Sequence, residues 1–409
     1  MTKSAETPRP APLAGRRVLD LSRVLAGPWC TMILGDLGAE VVKVENPRGG
    51  DDTRGWGPPF AAGEAAYYLC ANRNKKSLAL DFSKPEGQAI LRSLAADADI
   101  LVENYKAGGL GKYGLDYASL AQVNPRLVYC SVTGYGHASP LAARLGYDYV
   151  IQAEGGLMSV TGPADGAPHK VGVAVADLFT GMAAAQACLA GLIAADRDGR
   201  GQHIDMALYD SQLAMLANVG SAYLVSGKEP ARYGNGHATV LPYDLFDAAD
   251  GQIVVAVGND RQFRVFAEVL MKRPDLAADA RFATNAARVE NRDALLSELR
   301  REIAGRPADY WIAGMRENGI PCGEVRSVGE ALTAPETAAR DMVRRVPHPA
   351  AGEISLVGSP LKFGATPVVE PRAPPLLGQH SDEILAGAGY NDNAIAALRA
   401  DGIVGAARS

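Results

Sequence analysis

The sequence has few cysteines, no strong excess of positive charge and no long apolar stretch, and each absence excludes a class of protein. Its five cysteines among 409 residues are widely spaced and form no CxxC pair, so neither a disulfide framework nor a structural zinc site is expected. The formal net charge of -5 disfavours nucleic acid as a partner. No apolar run approaches membrane-spanning length, so no membrane partner is expected.

Several signatures of catalysis are also missing. No G-x-G-x-x-G follows the first predicted strand, and there is no Walker-type loop and no GxSxG elbow, so dinucleotide, nucleoside triphosphate and serine-hydrolase sites lack support. The six histidines show no metal-ligand spacing, and no metal is predicted. The first 17 residues are polar and Pro-rich, without the apolar core of a secretory signal. We interpret them as a disordered lead-in to a cytoplasmic protein.

The first half of the chain alternates short β-rich runs with helical runs. A helix is predicted over 85–96, because Pro85 and Glu86 are favoured in a first helical turn. Strands alternating with helices are typical of a parallel sheet wrapped by helices. The sequence therefore predicts a Rossmann-like layout with strands at 17–21, 40–44, 77–80, 99–103 and 127–132.

The second half changes in character. A polar, Gly-rich stretch over 227–236 indicates a domain boundary, and a new strand is predicted at 252–257 with three helices after it. Beyond Gly323 the sequence is Pro-rich and irregular. Such a tail is expected to lie along the surface of another part of the molecule.

Asp177 is the candidate catalytic residue. It lies between the small apolar run HKVGVAVA and the apolar stretch 178–195, which predicts a strand-to-helix junction and a helix buried on most faces. Asp is also a favoured helix cap, and on position alone capping is the simpler interpretation. A desolvated carboxylate at a helix N-terminus nevertheless suits nucleophilic catalysis, which needs an ionised group shielded from water. Basic residues at Arg73, Lys75 and Lys76, and again at Lys106 and Lys112, could converge on a polyphosphate.

Six segments, in order along nearly the whole chain, resemble the class III CoA-transferase family, which includes formyl-CoA and carnitine CoA-transferases. The segments are VLDLSRVLAGPWCTMILGDLGAEVVKVE (18–45), GDDTRGWGP (50–58), NRNKKSLALDFSKPEG (72–87), VENYKAGGLGKYGL (102–115), VADLFTGMAAAQACLAGLIAADRDGRGQHIDMALYDS (175–211) and PLLGQHSDEIL (375–385).

The resemblance implies the roles of particular residues. Asp177 stands where the family has its nucleophile, and a coenzyme A thioester is the expected substrate, with no tightly bound cofactor. Lys112 stands where some members have Arg, and Asn46 replaces an Arg of formyl-CoA transferase. Contacts to CoA are implied for Leu25, Ala26, Leu80, Asp81, Phe82, Ser83, Asn104, Tyr105, Lys106, Lys112, Leu145, Gly146, Tyr147 and Asp148.

The resemblance also implies an architecture. Two identical chains are expected to interlock like links, so the protein's partner is a second copy of itself. Each chain would hold an α/β, Rossmann-like large domain and a small α+β domain. Residues 1–225 would form the first part of the large domain, 226–328 the small domain, and 329–409 a C-terminal segment that returns to the large domain.

The substrate acids are indicated by two further segments. GNGHATVLPYDLF (234–246) and VAVGNDRQF (255–263) resemble branches that move CoA from succinyl-CoA to dicarboxylates, and the glycine-rich loop of formyl-CoA transferase is not matched. Arg54 and His237 are the candidates to bind the distal carboxylate of the acceptor. The implied mechanism passes through an aspartyl anhydride and an aspartyl-CoA thioester.

Two other functions stay open at this point. The same fold hosts α-methylacyl-CoA racemases, which need a His in the segment where this chain has Gly146, Tyr147 and Asp148. Tyr147 in place of that His disfavours a racemase or epimerase. A non-catalytic CoA-binding subunit is the other alternative, and the presence of Asp177 with all of its flanking segments disfavours it.

Overall fold

The structure is a computed structural model that describes residues 9–406. Residues 1–8 of the predicted lead-in and the last three residues of the predicted C-terminal segment lie outside the described residues. The described chain forms two compact units. The first contains the residues up to Gly156, Gly172–Gly220, and the chain from Pro335 onward, and the second contains Leu157–Val171 and Ser221–Ala334.

Strands and helices alternate through roughly the first half of residues 9–406. The strands are β1 (Arg17–Asp20), β2 (Glu40–Glu45), β3 (Phe60–Ala61), β4 (Glu64–Ala65), β5 (Lys75–Ala79), β6 (Ile100–Glu103), β7 (Val128–Thr133), β8 (His203–Ala207), β9 (Tyr243–Asp247), β10 (Gln252–Ala256), β11 (Cys322–Glu324), β12 (Val343–His348) and β13 (Gly352–Val357). The α-helices are α1 (Ala26–Asp36), α2 (Ala66–Leu69), α3 (Pro85–Ala96), α4 (Tyr117–Val123), α5 (Asp148–Glu154), α6 (Val175–Asp198), α7 (Leu208–Met215), α8 (Ala217–Ser226), α9 (Asp260–Val265), α10 (Pro274–Ala278), α11 (Asn285–Glu290), α12 (Arg292–Ala304), α13 (Ala308–Glu317), α14 (Val328–Thr333), α15 (Pro335–Ala339), α16 (Ser381–Gly387) and α17 (Asp392–Ala400).

The first unit is built on a six-stranded sheet with the order β5-β2-β1-β6-β7-β8. All five neighbouring pairs are parallel, as the alternation of strands and helices predicts. The chain proceeds from β1 towards one edge through β2 and β5, and towards the other through β6, β7 and β8. The strand order therefore reverses between β1 and β6. Open α/β sheets bind ligands outside the carboxyl ends of their strands at such a reversal, here at the loops that follow Asp20 and Glu103.

Each face of this sheet has its own apolar core, because successive side chains of a strand point to opposite faces. Val18 of β1 packs in the core that contains α1 and α6. Leu19, the next residue, packs in the core that contains α3, α4, α16 and α17. All six residues of β7 are buried, as expected for a strand covered by helices on both faces. The predicted α/β class with a parallel sheet is confirmed.

Helix α6 differs from its prediction. Within residues 9–406 it is long and apolar enough, by length and composition alone, to cross a membrane, so the statement that no apolar run approaches that length is wrong. Its inner face, with Ala184 and Cys188, packs into the core. Phe179, Met182 and Ile193 are exposed, so the helix is not buried on most faces. The run before it, 169–174, is not a strand.

The second unit contains the antiparallel sheet β11-β10-β9 and helices α9–α13. It also contains 157–171, a segment that the sequence analysis assigns to the large domain. The Arg232 guanidinium explains this assignment, since it donates to the carbonyl oxygens of Ser159 at 3.2 Å, Pro163 at 3.2 Å and Gly166 at 2.7 Å. The sequence contains no local sign of these contacts.

The C-terminal segment is more regular than expected. It forms the β12–β13 hairpin and the helices α16 and α17, so the prediction of an irregular tail is wrong. Its last part lies along the edge strand β5. The backbone N–H of His380 donates to the carbonyl oxygen of Ser77, and that of Gly405 donates to Ala79.

Candidate active site

Asp177 lies in the first turn of α6. The helix is preceded by Ala174, whose side chain cannot cap it. The backbone N–H groups of the first turn, which have no partner within the helix, therefore need another acceptor. Asp148 supplies it: its Oδ1 accepts from the backbone N–H of Ala176 at 2.8 Å and from that of Asp177 at 3.3 Å. Asp148, and not Asp177, is therefore the carboxylate that caps α6.

Glycines bring the surrounding backbone close to Asp177. A Cβ on Gly181, one turn further along α6, would lie 2.6 Å from the carbonyl oxygen of Ala26. A Cβ on Gly134, after β7, would lie 2.7 Å from the Cα of Gly146. Both distances are below van der Waals contact, so only glycine allows α6 to approach the start of α1 and the loop before α5 to approach the end of β7.

Burial changes the chemistry of the Asp177 carboxyl, which is only 9% exposed. Burial raises its pKa to about 7, and the negative charge of Asp148 adds to the rise. Tyr67 is an electrostatic neighbour: burial and the charge of Asp177 raise the pKa of its hydroxyl to about 12. A carboxyl with a pKa near neutral pH that is largely shielded from water suits a nucleophile.

A cavity of about 320 Å³ contains Asp177 in its wall. Eight residues for which the resemblance implies CoA contacts line it as well, and they come from the loops after β1 and β6 and the loop before α5. These eight are Leu25, Ala26, Asn104, Tyr105, Lys106, Leu145, Gly146 and Tyr147. Sequence reasoning did not assign Arg23, Val24 and Arg144 to the site, and these residues are among the others that line the cavity.

A second cavity of about 680 Å³ lies outside the ends of β2 and β6. Leu80, Asp81, Phe82 and Ser83 line it, and so do the cations Arg23, Arg48, Lys106 and Lys112. Three residues, Arg23, Tyr105 and Lys106, line both cavities. Four acids, Glu45, Asp51, Asp52 and Asp81, also line the second cavity. The cations Arg23 and Lys106 and the aromatic Tyr105 border both cavities, which fits a long anionic ligand whose reactive end meets the buried carboxylate.

Residues 13–381 match the sequence profile of a family described as CoA-transferase family III. The chain belongs to CoA-transferase family III. A succinate–glutarate CoA-transferase of Agrobacterium fabrum is 46% identical over 384 residues, which cover 92% of this chain and 96% of that protein. A succinyl-CoA:glutarate CoA-transferase of Homo sapiens is 43% identical over 394 residues, covering 96% of this chain and 90% of that protein. A solved CAIB/BAIF family protein from Brucella suis is 43% identical with a TM-score of 0.83, covering 93% of this chain and all of that one.

In this CoA-transferase the β1 and β6 loops are joined by Asn104. Its Oδ1 accepts the backbone N–H of Arg23 at 2.8 Å, and its Nδ2 donates to the carbonyl oxygen of Arg23 at 2.6 Å. The next residue, Val24, has a φ of 70°, which is strained for a β-branched residue. Asp51 Oδ1 helps to hold it by accepting its N–H at 3.2 Å. The two strand ends that border the topological switch point are thus fixed to each other.

Arg54 is not placed to bind a substrate, and that prediction is wrong. It is 3% exposed; its Nε and Nη2 donate to both oxygens of Glu45, and its Nη1 donates to Glu64, each at 2.8 Å. Nη2 also donates to the Tyr68 hydroxyl at 2.7 Å. The charge and donors of Arg54 are already used inside the protein.

The remaining candidates have mixed outcomes. Asp148 caps α6, so the structure does not support its implied contact to CoA. His237 belongs to the second unit, where its Nδ1 accepts the backbone N–H of Thr239 at 3.1 Å, and its role as a clamp stays a prediction.

The prediction that two basic clusters converge on a polyphosphate is wrong for the first cluster, because its three cations are paired inside the protein. Arg73 pairs with Asp36, Lys75 with Asp20, and Lys76 with Glu40 and Glu383. Within residues 9–406, no three His, Cys, Asp or Glu side chains are grouped to hold a metal ion.

Proposed function

We propose that this CoA-transferase moves CoA from succinyl-CoA to glutarate or a similar dicarboxylate, with Asp177 as the covalent carrier. The observation that carries the proposal is the position of Asp177, a buried carboxylate in the wall of a cavity that shares the cations Arg23 and Lys106 with a second, larger cavity. The names of the Agrobacterium and human relatives support the choice of acids. The segment 234–246 supports the same choice.

The proposed reaction begins when an Asp177 oxygen attacks the thioester carbonyl of succinyl-CoA. The C–S bond breaks, CoA leaves as a thiolate, and a mixed anhydride forms. The thiolate then attacks the Asp177 carbonyl carbon, so the anhydride C–O bond breaks, succinate leaves, and Asp177 carries CoA as a thioester. The acceptor carboxylate attacks that thioester, and the same two steps in reverse give the new acyl-CoA and restore the Asp177 carboxylate.

The surroundings of Asp177 support this covalent mechanism. Water would hydrolyse either intermediate, so the site must exclude it. The buried carboxylate and the apolar lining residues Leu25, Val132 and Leu208 favour this exclusion. Arg23, Lys106 and Lys112 supply the positive charge that phosphate groups of CoA require.

Arg144 replaces Arg54 as the proposed clamp for the distal carboxylate. It lines the Asp177 cavity and does not line the second, larger cavity, which supports a contact of its charge with the acyl end of the substrate. Its Nη1 and Nη2 donate to Glu154 at 3.1 and 2.5 Å. A guanidinium has five N–H groups, so these two bonds leave donors for a ligand. Glu154 also accepts from the Tyr135 hydroxyl at 2.6 Å, which fixes the pair.

The function is tested by offering succinyl-CoA with a panel of acceptor acids and following acyl-CoA products by chromatography. Glutarate should be converted faster than butyrate by at least about tenfold, because only a dicarboxylate forms a charge-assisted bond with the clamp. Arg144→Ala should reduce this preference by roughly tenfold. Arg23→Ala is the matched control, since it should weaken binding of every CoA thioester and leave the preference intact. Butyrate accepted as readily as glutarate would refute the dicarboxylate proposal.

A racemase is disfavoured by the lining of the Asp177 cavity. Proton abstraction and return on the two faces of a carbon need two groups, and the family's racemases pair an Asp with a His. Tyr147 stands at that position, and no histidine lines the cavity as the structure describes it. Mass spectrometry separates the two functions, because only a transferase should leave an acyl or CoA adduct on Asp177.

An interlocked homodimer is the proposed assembly. Apolar side chains are exposed in each unit: Phe179, Met182 and Ile193 on α6 in the first, and Leu224 and Val225 on α8 in the second, the last two at 83% and 90%. Exposed apolar groups of this size are typical of surfaces that a partner covers. The protein should sediment at twice the 42.9 kDa chain mass and should not dissociate on dilution to nanomolar concentration. A folded monomer at any concentration would contradict interlocking.

A further inference from the structure

We propose that Asp148 is a positioning residue for Asp177: its carboxylate fixes the first turn of α6 through two backbone hydrogen bonds, and its negative charge favours acylation of the nucleophile. The inference rests on the proposed covalent function of Asp177. It assigns Asp148 a task at the reacting group that is different from the CoA contact implied by the resemblance.

Hydrogen bonds hold both carboxylate oxygens of Asp148 in place at the start of α6. One oxygen of Asp148 accepts the N–H groups of Ala176 and Asp177 at 2.8 and 3.3 Å. The other accepts the side-chain amide of Gln152 at 2.7 Å, and Gln152 is fully buried. Because both Asp148 oxygens are held, the first turn of α6 is fixed relative to α5. The backbone that carries the nucleophile therefore cannot rotate without breaking a charge-assisted bond.

Two carboxylates lie close together in a partly desolvated site, and like charges there repel. The pKa of Asp177 is raised first by burial and then by Asp148. Other titratable groups facing this site are the Tyr67 hydroxyl, which is neutral at pH 7, and the cations Arg23, Lys106 and Arg144 on the cavity wall. Arg23 is paired with Asp52 and Arg144 with Glu154, so their charges are partly compensated.

Repulsion of this kind favours the acylated enzyme. When Asp177 attacks a thioester, its negative charge passes to the departing thiolate and the acyl-aspartyl group is neutral. Burial and the charge of Asp148 both destabilise the ionised starting state and not the neutral acylated state. Interactions that differ between the starting state and the transition state change the rate, whereas those that are equal in both do not.

The test compares variants of Asp148 in the full-length protein. Asp148→Asn keeps an oxygen acceptor for the α6 amides and removes the charge, while Asp148→Glu keeps the charge and misplaces the acceptor. Asp198→Asn is the matched control, because Asp198 is an exposed acid in the last turn of the same helix. The readout is the pH profile of kcat/KM between pH 5 and 9, together with the extent of adduct formation on Asp177 by mass spectrometry.

Wild-type kcat/KM should rise with pH along an ascending limb and level off above pH 7, since the nucleophile must be deprotonated and its pKa is about 7. Asp148→Asn should move this limb to lower pH by roughly one unit, because a neighbouring charge shifts a pKa by that order, and should lower the plateau about tenfold. Asp148→Glu should keep the limb and lower the plateau, and Asp198→Asn should match wild type. If Asp148→Asn fails to fold, the limb of Asp148→Glu decides alone.

An unshifted limb in a folded Asp148→Asn protein would overturn the proposal, and so would a shifted limb in Asp148→Glu. If both variants lose rate and the ascending limb of Asp148→Asn stays at the wild-type pH, Asp148 only caps the helix and its charge does not act on Asp177. Failure of the proposed function looks different, because wild-type protein would then form no adduct on Asp177 at any pH.

Discussion

Asp177→Asn should lower CoA transfer by a factor of about 10³ or more while the protein stays folded. An amide cannot attack a thioester, and loss of a nucleophile typically costs several orders of magnitude in rate. Asn has nearly the same shape as Asp, so the packing of α6 against α1 should be preserved. The measurement is the initial rate of glutaryl-CoA formation from succinyl-CoA, with Asp198→Asn as the control for a change of charge on the same helix. Activity within tenfold of wild type would refute Asp177 as the carrier.

The same substitution should not lower stability at pH 8. Burial raises the pKa of Asp177 to about 7, so the folded chain binds this proton more tightly than the unfolded chain. The contribution of the protonated carboxyl to stability is therefore present at low pH and is lost as the pH rises through about 7. At pH 8 the wild type holds an unfavourable buried charge that Asn lacks. We expect the Tm of Asp177→Asn at pH 8 to equal or exceed that of wild type, and a lower Tm would contradict the burial of an ionised Asp177.

Arg54→Ala should destabilise the protein by about 3–5 kcal/mol, because removing one partner of a buried ion pair leaves uncompensated charge. Glu45 and Glu64 would both lose their ion pair with Arg54, and each is nearly fully buried. Burial alone would raise the pKa of Glu45, but Arg54 and Lys43 hold it below its ordinary value. The measurement is urea unfolding at pH 7.

Arg48→Ala is the control for Arg54→Ala. The Arg48 side chain is 83% exposed, and its removal should change the free energy of unfolding by no more than about 0.5 kcal/mol. An Arg54→Ala protein of wild-type stability that had lost its preference for dicarboxylates would restore Arg54 as the clamp.

Sequence patterns located five of the six strands of the parallel sheet, and helix α3, to within a few residues. The predicted helix over 85–96 is α3 as observed, because its start signal and its periodicity agree. The C-terminal segment shows the opposite case. Residues 343–357 form a hairpin whose strands alternate between exposed and buried residues, so the pattern that identifies a strand is present there although the segment as a whole is Pro-rich and was predicted to be irregular. Assignment of 157–171 to the second unit depends on Arg232, which is about seventy residues away in sequence.

The site was also only partly predictable. Resemblance identified Asp177 and eight of the residues that share its cavity. It could not indicate Arg144, although this residue precedes Leu145, because nothing local distinguishes a cation that faces a cavity from one that faces solvent. Arg54 was misjudged for the same reason. Its acidic partners Glu45 and Glu64 are nine and ten residues away on different strands, and only the fold brings them around it.

By itself the sequence determined the class of fold and the family, and it indicated Asp177 as the candidate nucleophile. These depend on local periodicity, turn signals and ordered motifs, which a linear chain displays directly. Only the tertiary structure decided which charged groups are already neutralised and which face the cavities. It also decided that Asp148, and not Asp177, caps α6. Such outcomes depend on burial and on contacts between distant residues, because the energy of a charge is set by the surroundings that the whole fold assembles.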